Sequence, residues 1–232
     1  MNKAIIRSLF TFLLFCGLAQ AKEEFREFTS ASGQTMIARP VAVIGSNVRI
    51  EREDGSEFNV DVTIFSKEDQ AYLKSWTLKF LVDQGRLLKI NAKGSSSNPE
   101  KSQTESTKMK TWEGFYLVNV ENISDIDIDD LRIEYELFVY DDLAAADKRR
   151  AGDIDSKTGT FDVKRLSARK SVDFESEHVK MMETELKSGW RYINGGDEES
   201  KDKLEGIRMK IYSGKELLMR YATTDNLWSK YK

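Results

Sequence analysis

Leu131-Arg132-Ile133-Glu134-Tyr135-Glu136-Leu137-Phe138-Val139-Tyr140 is the most regular stretch of the chain. Leu131, Ile133, Tyr135, Leu137 and Val139 take every second position, with Arg132, Glu134, Glu136, Phe138 and Tyr140 between them. Successive strand side chains point to opposite faces, so the pattern predicts a strand with one face in a core and the other largely in solvent. Shorter runs repeat the theme on both sides. Leu88, Ile90 and Ala92 alternate with Lys89, Asn91 and Lys93, and further strands are expected over 115–120, 159–163, 171–178 and 181–186. Ile207, Met209 and Ile211 face Leu217, Met219 and Tyr221 across Ser213-Gly214. About seven or eight strands with hairpin connections and no interior helix predict an antiparallel, Ig-like β-sandwich over residues 86–232. Residues 225–231 add a terminal helical turn. The polar text of 94–107, with three consecutive serines, reads as a flexible Ser-rich loop at 94–110 between two strands of that sandwich, placing the domain boundary near Gly85.

Upstream, residues 25–62 are short, alternating and punctuated. Val41 and Val43, Val48 and Ile50, and Phe58, Val60 and Val62 keep period two, interrupted at Gly45-Ser46-Asn47 and at Asp54-Gly55. Asp-Gly between alternating runs signals a hairpin because glycine tolerates positive φ. Pro40 lacks an N–H and belongs on an edge or at a bulge. Ser66-Lys67-Glu68-Asp69 then opens a helix, with a serine to cap a free N–H and acids at the positive dipole end. Tyr72, Leu73, Trp76 and Phe80 recur at helical spacing as its core face, up to Gly85. A small sheet of about four or five strands closed by one helix is the expected first domain, residues 22–85. The fold class is mainly β.

The chain opens with Lys3 and Arg7, an apolar run from Leu9 to Phe15, and Ala19-Gln20-Ala21. This is the layout of a secretory signal peptide over 1–21, and its apolar run is too short to cross a bilayer. Phe15 before Cys16 does not suit lipid attachment, which follows a small residue. Cleavage removes Lys3, Arg7 and no acid, so the formal charge of −3 falls by two, and Cys16 is lost as the one cysteine. The exported chain then has no disulfide and relies on packed cores. Its acidic balance argues against nucleic acid, and no membrane span remains after cleavage.

Arg26-x-Phe28, Gly33, Val48-x-Ile50-x-Arg52, Asp54-Gly55, Phe58-x-Val60 and Ser66-Lys67-Glu68-Asp69 followed by Tyr72-Leu73 form one set. Together they resemble the SLA homology domain 1 family over about residues 25–76. The resemblance implies a small SH3-like barrel. In a yeast endocytic adaptor such a domain recognises a short Asn-Pro-Phe-x-Asp peptide, and similar domains occur in secreted planctomycete and verrucomicrobial proteins. It implies ligand-binding residues Arg52, Phe28 and Arg26, with an aromatic floor for an apolar anchor and Arg52 for a ligand acid. Arg52 stands where the yeast-type domain has lysine, Phe28 where it has tryptophan, and Glu57 where it is basic.

Asp125, Asp127, Asp129 and Glu136 match positions one, three, five and twelve of a Ca²⁺ loop. Asp130 replaces the required glycine at position six, and a strand follows instead of a helix, so a solvated acidic turn is expected. His178 has no second histidine to complete a zinc site and reads as a surface residue. Carboxylate pairs such as Glu134 with Glu136 and Asp141 with Asp142 are expected by chance at this acid content. No phosphate loop, nucleophile elbow or metalloprotease motif occurs. Asn122-Ile123-Ser124 is a glycosylation sequon in a eukaryotic host. Trp112, Tyr116, Trp190, Tyr192 and Trp228 are candidates for a sugar platform, though aromatics on sandwich strands are usually core or rim. The expectation is an exported, non-enzymatic adaptor without catalytic residues, cofactor or metal, taking a peptide or protein segment. The alternatives are a self-associating envelope protein and a carbohydrate-binding accessory module.

Overall fold

The computed structural model describes residues 23–143, 152–193 and 197–231, and the signal peptide expected at 1–21 lies outside them. Mainly β, they build three antiparallel sheets. The first contains β1 (Arg26–Thr29), β2 (Thr35–Ile44), β3 (Asn47–Arg52) and β4 (Glu57–Val60) in the order β1-β2-β3-β4. Gly45 (φ 60) and Gly55 (φ 79) make its two tight turns. Pro40 sits where the β2–β3 register shifts, which accommodates its missing donor. The sheet is open. Among the described residues the expected closure to a barrel is replaced by a single bridge between Ser30 and Phe65 beside β1.

A short 3₁₀ turn, Val62–Ile64, leads into α1 (Lys67–Asp83). Ser66 caps this helix by accepting from the Asp69 N–H at 3.2 Å. It ends with Gly85 (φ 63), whose N–H and that of Arg86 return to Val82 and Leu81. Leu73, Trp76 and Leu81 of α1 join Phe28, Ala38, Val43, Val48 and Ile50 of the sheet in one buried cluster.

The remaining strands are β5 (Leu88–Gln103), β6 (Thr107–Asn122), β7 (Ile128–Asp141), β8 (Asp153–Leu166), β9 (Ser171–Glu175), β10 (Val179–Leu186), β11 (Glu199–Lys201), β12 (Lys203–Ser213) and β13 (Glu216–Ala222), before the short α2 (Leu227–Lys230). One sheet runs β11-β10-β6-β5 with β9 also on β6, and the other β13-β12-β7-β8. Leu131, Ile133, Leu137 and Val139 of β7 are buried with Ile207, Met209 and Ile211 of β12 and with Tyr116, Val118 and Val120 of β6. The alternation of β7 therefore lies between the two sheets, with one exception on its outer face. Phe138 is buried there because Tyr231 stacks on it with centroids 4.6 Å apart. The terminal turn can dock because residue 206 is glycine; a Cβ there lies 2.5 Å from Leu227.

The Ser-rich segment is not a loop. Residues 94–103 continue β5 and 107–110 begin β6, pairing almost throughout as one long hairpin. A Cβ on Gly114 would lie 2.2 Å from the Met181 sulfur, and one on Gly94 a tight 3.3 Å from Leu204. Ser97 instead donates outward to Glu113, and Asn98 (φ 52) with Pro99 forms the bulge where the register shifts. Such a bulge blunts an edge strand.

The helix α1 also ties the first sheet to the β13-β12-β7-β8 sheet. Lys74 Nζ lies 2.5 Å from Asp129, while Ser75 and Lys79 both reach Glu216 at 2.7 Å. The Ile123 N–H donates to the Leu87 carbonyl at 3.0 Å beside this contact.

Asn122 is fully buried. Its Nδ2 donates to the carbonyls of Ile126, Leu166 and Ser167, and its Oδ1 accepts from the Ser124 N–H and hydroxyl. The sequon is thus an internal turn lock, inaccessible to a glycan in the folded protein. Asn122→Ala leaves these groups without partners and is expected to destabilise the protein by about 3 kcal/mol, read as a lowered urea midpoint with unchanged slope.

Candidate functional site

The family-like residues of the first sheet divide between core and surface. Phe28 is fully buried, with its ring 5.4 Å from Phe65 and 6.0 Å from Tyr72. It is a core residue, and the expectation that it floors a ligand groove is corrected. Arg26 lies in a structural knot. Its guanidinium donates to Asp69 Oδ1 at 2.9 Å and rests 4.0 Å from the centroid of the Tyr72 ring. The other Asp69 oxygen accepts from the Thr29 N–H at 2.8 Å and the Ser66 hydroxyl at 3.0 Å. Asp69 is buried, and with three donors from β1 and the helix cap meeting at its carboxylate, Arg26 is its counter-charge. Burial raises the Tyr72 hydroxyl pKa above the ordinary tyrosine value, which keeps that ring neutral beneath the cation.

Arg52 lies at the surface. Its side chain is 49% exposed and makes a 3.8 Å approach to Asp54 as its one ion pair among the described residues. Arg39 and Arg49 of the same sheet instead engage Glu51 at 2.8 Å and Asn59 at 3.1 Å. Sequence reading missed the partner of Arg52. Ile50 pairs with Phe58 across β3–β4, so Phe58 shares the face of Ile50 and Arg52 and lies diagonally from Arg52. The helix covers the β1–β2 end of this face and leaves Phe58 46% exposed. The far edge of β4 has no strand partner among the described residues. An apolar ring, a lightly paired guanidinium and open backbone groups therefore adjoin at one margin. In sequence Phe58-x-Val60 reads as core, and only the reach of α1 shows otherwise.

The other candidates are structural or scattered. Asp125 pairs with Arg169 at 2.9 Å, Asp127 accepts from the Ala168 N–H at 2.9 Å, and Asp129 is held by Lys74 and, at 2.7 Å, by Arg165. The hydrogen bonds from Lys74 and then Arg165 hold the Asp129 carboxyl below its usual pKa. Glu136 turns to Arg208 at 2.6 Å, so the four carboxylates of the candidate Ca²⁺ loop each engage a separate partner. Among the described residues no group of three or more His, Cys, Asp or Glu is arranged to hold a metal. Tyr116 is buried, Trp112 lies beneath Lys110 on β6, and Trp228 sits by the guanidiniums of Arg208 and Arg220 on a different sheet. Trp190 is exposed outside the strands, so these aromatics form no common platform. His178 lies on the β6–β9 surface, away from Arg52.

No family model and no curated protein matches the chain. A solved structure, the X-ray structure of Northeast Structural Genomics Consortium target SoR45, is similar over 63% of this chain and 92% of its own, at a TM-score of 0.28 and 10% sequence identity. The assignment of roles therefore rests on the residues themselves.

These roles separate by stability. Asp69→Ala leaves Arg26 and the Thr29 N–H without their acceptor and is expected to cost about 3 kcal/mol, whereas Arg52→Ala stays within about 0.5 kcal/mol in the same urea titration. Equal losses would place Arg52 in the framework.

Proposed function

We propose that the chain is an exported, non-enzymatic protein-binding module whose first unit takes a short peptide or protein segment. The observation that carries this reading is the pairing of exposed Phe58 with exposed Arg52 on one face at the open β4 margin. An apolar anchor packs on the ring, and a ligand acid meets the guanidinium, which offers a planar fork for a carboxylate. The reading keeps Arg52 in its sequence-derived role and transfers the aromatic role from Phe28 to Phe58. In the same reading the first sheet with α1 is an SH3-like unit of the SLA homology domain 1 type, and the two facing sheets are an Ig-like sandwich that presents it. The signal-like segment at 1–21 supports export.

A self-associating envelope protein is the second reading. It is favoured by a concave face of about 500 Å³ where Lys101, Lys108 and Lys110 of β5–β6 lie beside Glu183 and Glu185 of β10. A two-fold copy sets each row against its opposite. Light scattering separates the readings, since self-association gives a mass that rises with concentration.

Peptide display against the mature chain, residues 22–232, is expected to enrich sequences that join an apolar residue to an acid. Arg52→Glu and Phe58→Ser are each expected to weaken the winning peptide at least about tenfold without shifting the urea midpoint. A folded protein that enriches nothing, or binds equally well through both variants, overturns the reading.

A further inference from the structure

His178 stands where the pairing partner of β6 changes. Residues 171–175 pair with one half of β6 and residues 179–186 with the other, so 176–178 form the step between β9 and β10. The step is tightly bonded. Ser176 exchanges hydrogen bonds with the Tyr116 backbone at 2.9 Å, and the Glu177 N–H donates to the Tyr135 hydroxyl at 3.0 Å across the sandwich. Immediately before it, Phe174 stacks on Phe161 of the opposite sheet, centroids 4.4 Å apart.

The imidazole lies flat on Phe115, with centroids 4.2 Å apart and planes 6° from parallel. Its Nδ1 is 3.1 Å from Glu113 of β6, and its Nε2 is 3.1 Å from Glu175 of β9. Glu113 is itself fixed from β5 by Asn98 at 3.0 Å and Ser97 at 3.3 Å. A neutral imidazole carries one N–H and can donate to only one of the two carboxylates, whereas the imidazolium donates to both. The contact therefore changes in kind with one proton. From this geometry we infer that His178 is a proton-operated staple that seats β9 and the start of β10 on β6 when charged and releases them when neutral.

The charged groups around it set the direction. Glu113 from β6 and Glu175 from β9 face the ring, β5 contributes the neutral Ser97 and Asn98, and Lys180 of β10 is the cross-strand neighbour of Glu113. Hydrogen bonds to Glu113 and then Glu175 raise the His178 pKa above the usual histidine value. The stabilisation is therefore complete below about pH 6.5, the unfolded value, and is lost as pH rises through the higher folded value. The ring is partly exposed, so solvent and salt moderate the effect.

The test is an NMR titration of the mature chain combined with amide exchange at pH 6 and pH 9, corrected for intrinsic exchange rates. His178 is expected to titrate above about 6.5 in the wild type, and lower in Glu113→Gln and in Glu175→Gln. Protection of the β9 amides is expected to fall about three- to tenfold relative to β7 amides between the two pH values, and this fall should vanish in His178→Gln. A His178 that titrates at or below the ordinary value, or β9 protection that responds equally in His178→Gln, overturns the inference. Should His178→Gln fail to fold, Glu175→Gln serves the exchange comparison, since it keeps the ring and removes one of its two acceptors.

Discussion

The inward side chains of β7 must be kept from water, and most of the molecule is arranged to cover them. Leu131, Ile133, Leu137 and Val139 are all buried, which contributes on the order of 10 kcal/mol of transfer free energy, comparable to the net stability of a whole domain. No single neighbour can supply that cover. β12 and β8 flank β7 within its own sheet, and β6 lays Tyr116, Val118 and Val120 across it from the other. The demands then spread outward. The close approach of Met181 leaves no room for a Cβ at 114, and in the cross-over from β6 to β7 the buried Asn122 side chain holds the carbonyls of Ile126, Leu166 and Ser167.

The helix α1 extends this arrangement to the first sheet. One side of it completes the cluster around Phe28, Val48 and Ile50, and another reaches Asp129 and Glu216 of the β13-β12-β7-β8 sheet with Lys74, Ser75 and Lys79. Its single-helix reach also explains the candidate surface. A helix covers only part of a four-stranded sheet, so the β4 margin keeps an aromatic ring in solvent beside Arg52. A buried carboxylate at the start of the helix, Asp69, takes up the charge of Arg26 and leaves Arg52 as the more available guanidinium. The buried ion pair and the exposed guanidinium thus fall to different arginines of the first sheet. A comparable division holds on the far surface, where Glu113 and Glu175 engage the only histidine and link its charge to the seating of a short strand.

Much of this was legible in the chain itself. Strict alternation in 131–140, turn glycines at 45 and 55, and Ser66 ahead of Lys67-Glu68-Asp69 specify strands, hairpins and a helix start through local steric and hydrogen-bonding rules that need no tertiary context. The mainly β class and the position of α1 followed from them. What only the tertiary structure decided was which polar or aromatic residue meets which neighbour. Gly94 and the serines after it read as linker because composition cannot register that they pair with β6 along a long hairpin. Phe28 and Phe58 have the same chemistry and the same period-two setting, and they exchange roles because the helix ends its cover between them. Arg26 has Asp69 and the Tyr72 ring beside it, whereas Arg52 has only the exposed Asp54 within 4 Å among the described carboxylates. Local pattern determines the elements because their rules act over a few residues, whereas burial and charge pairing depend on contacts distant in sequence, which the packed sheets alone bring together.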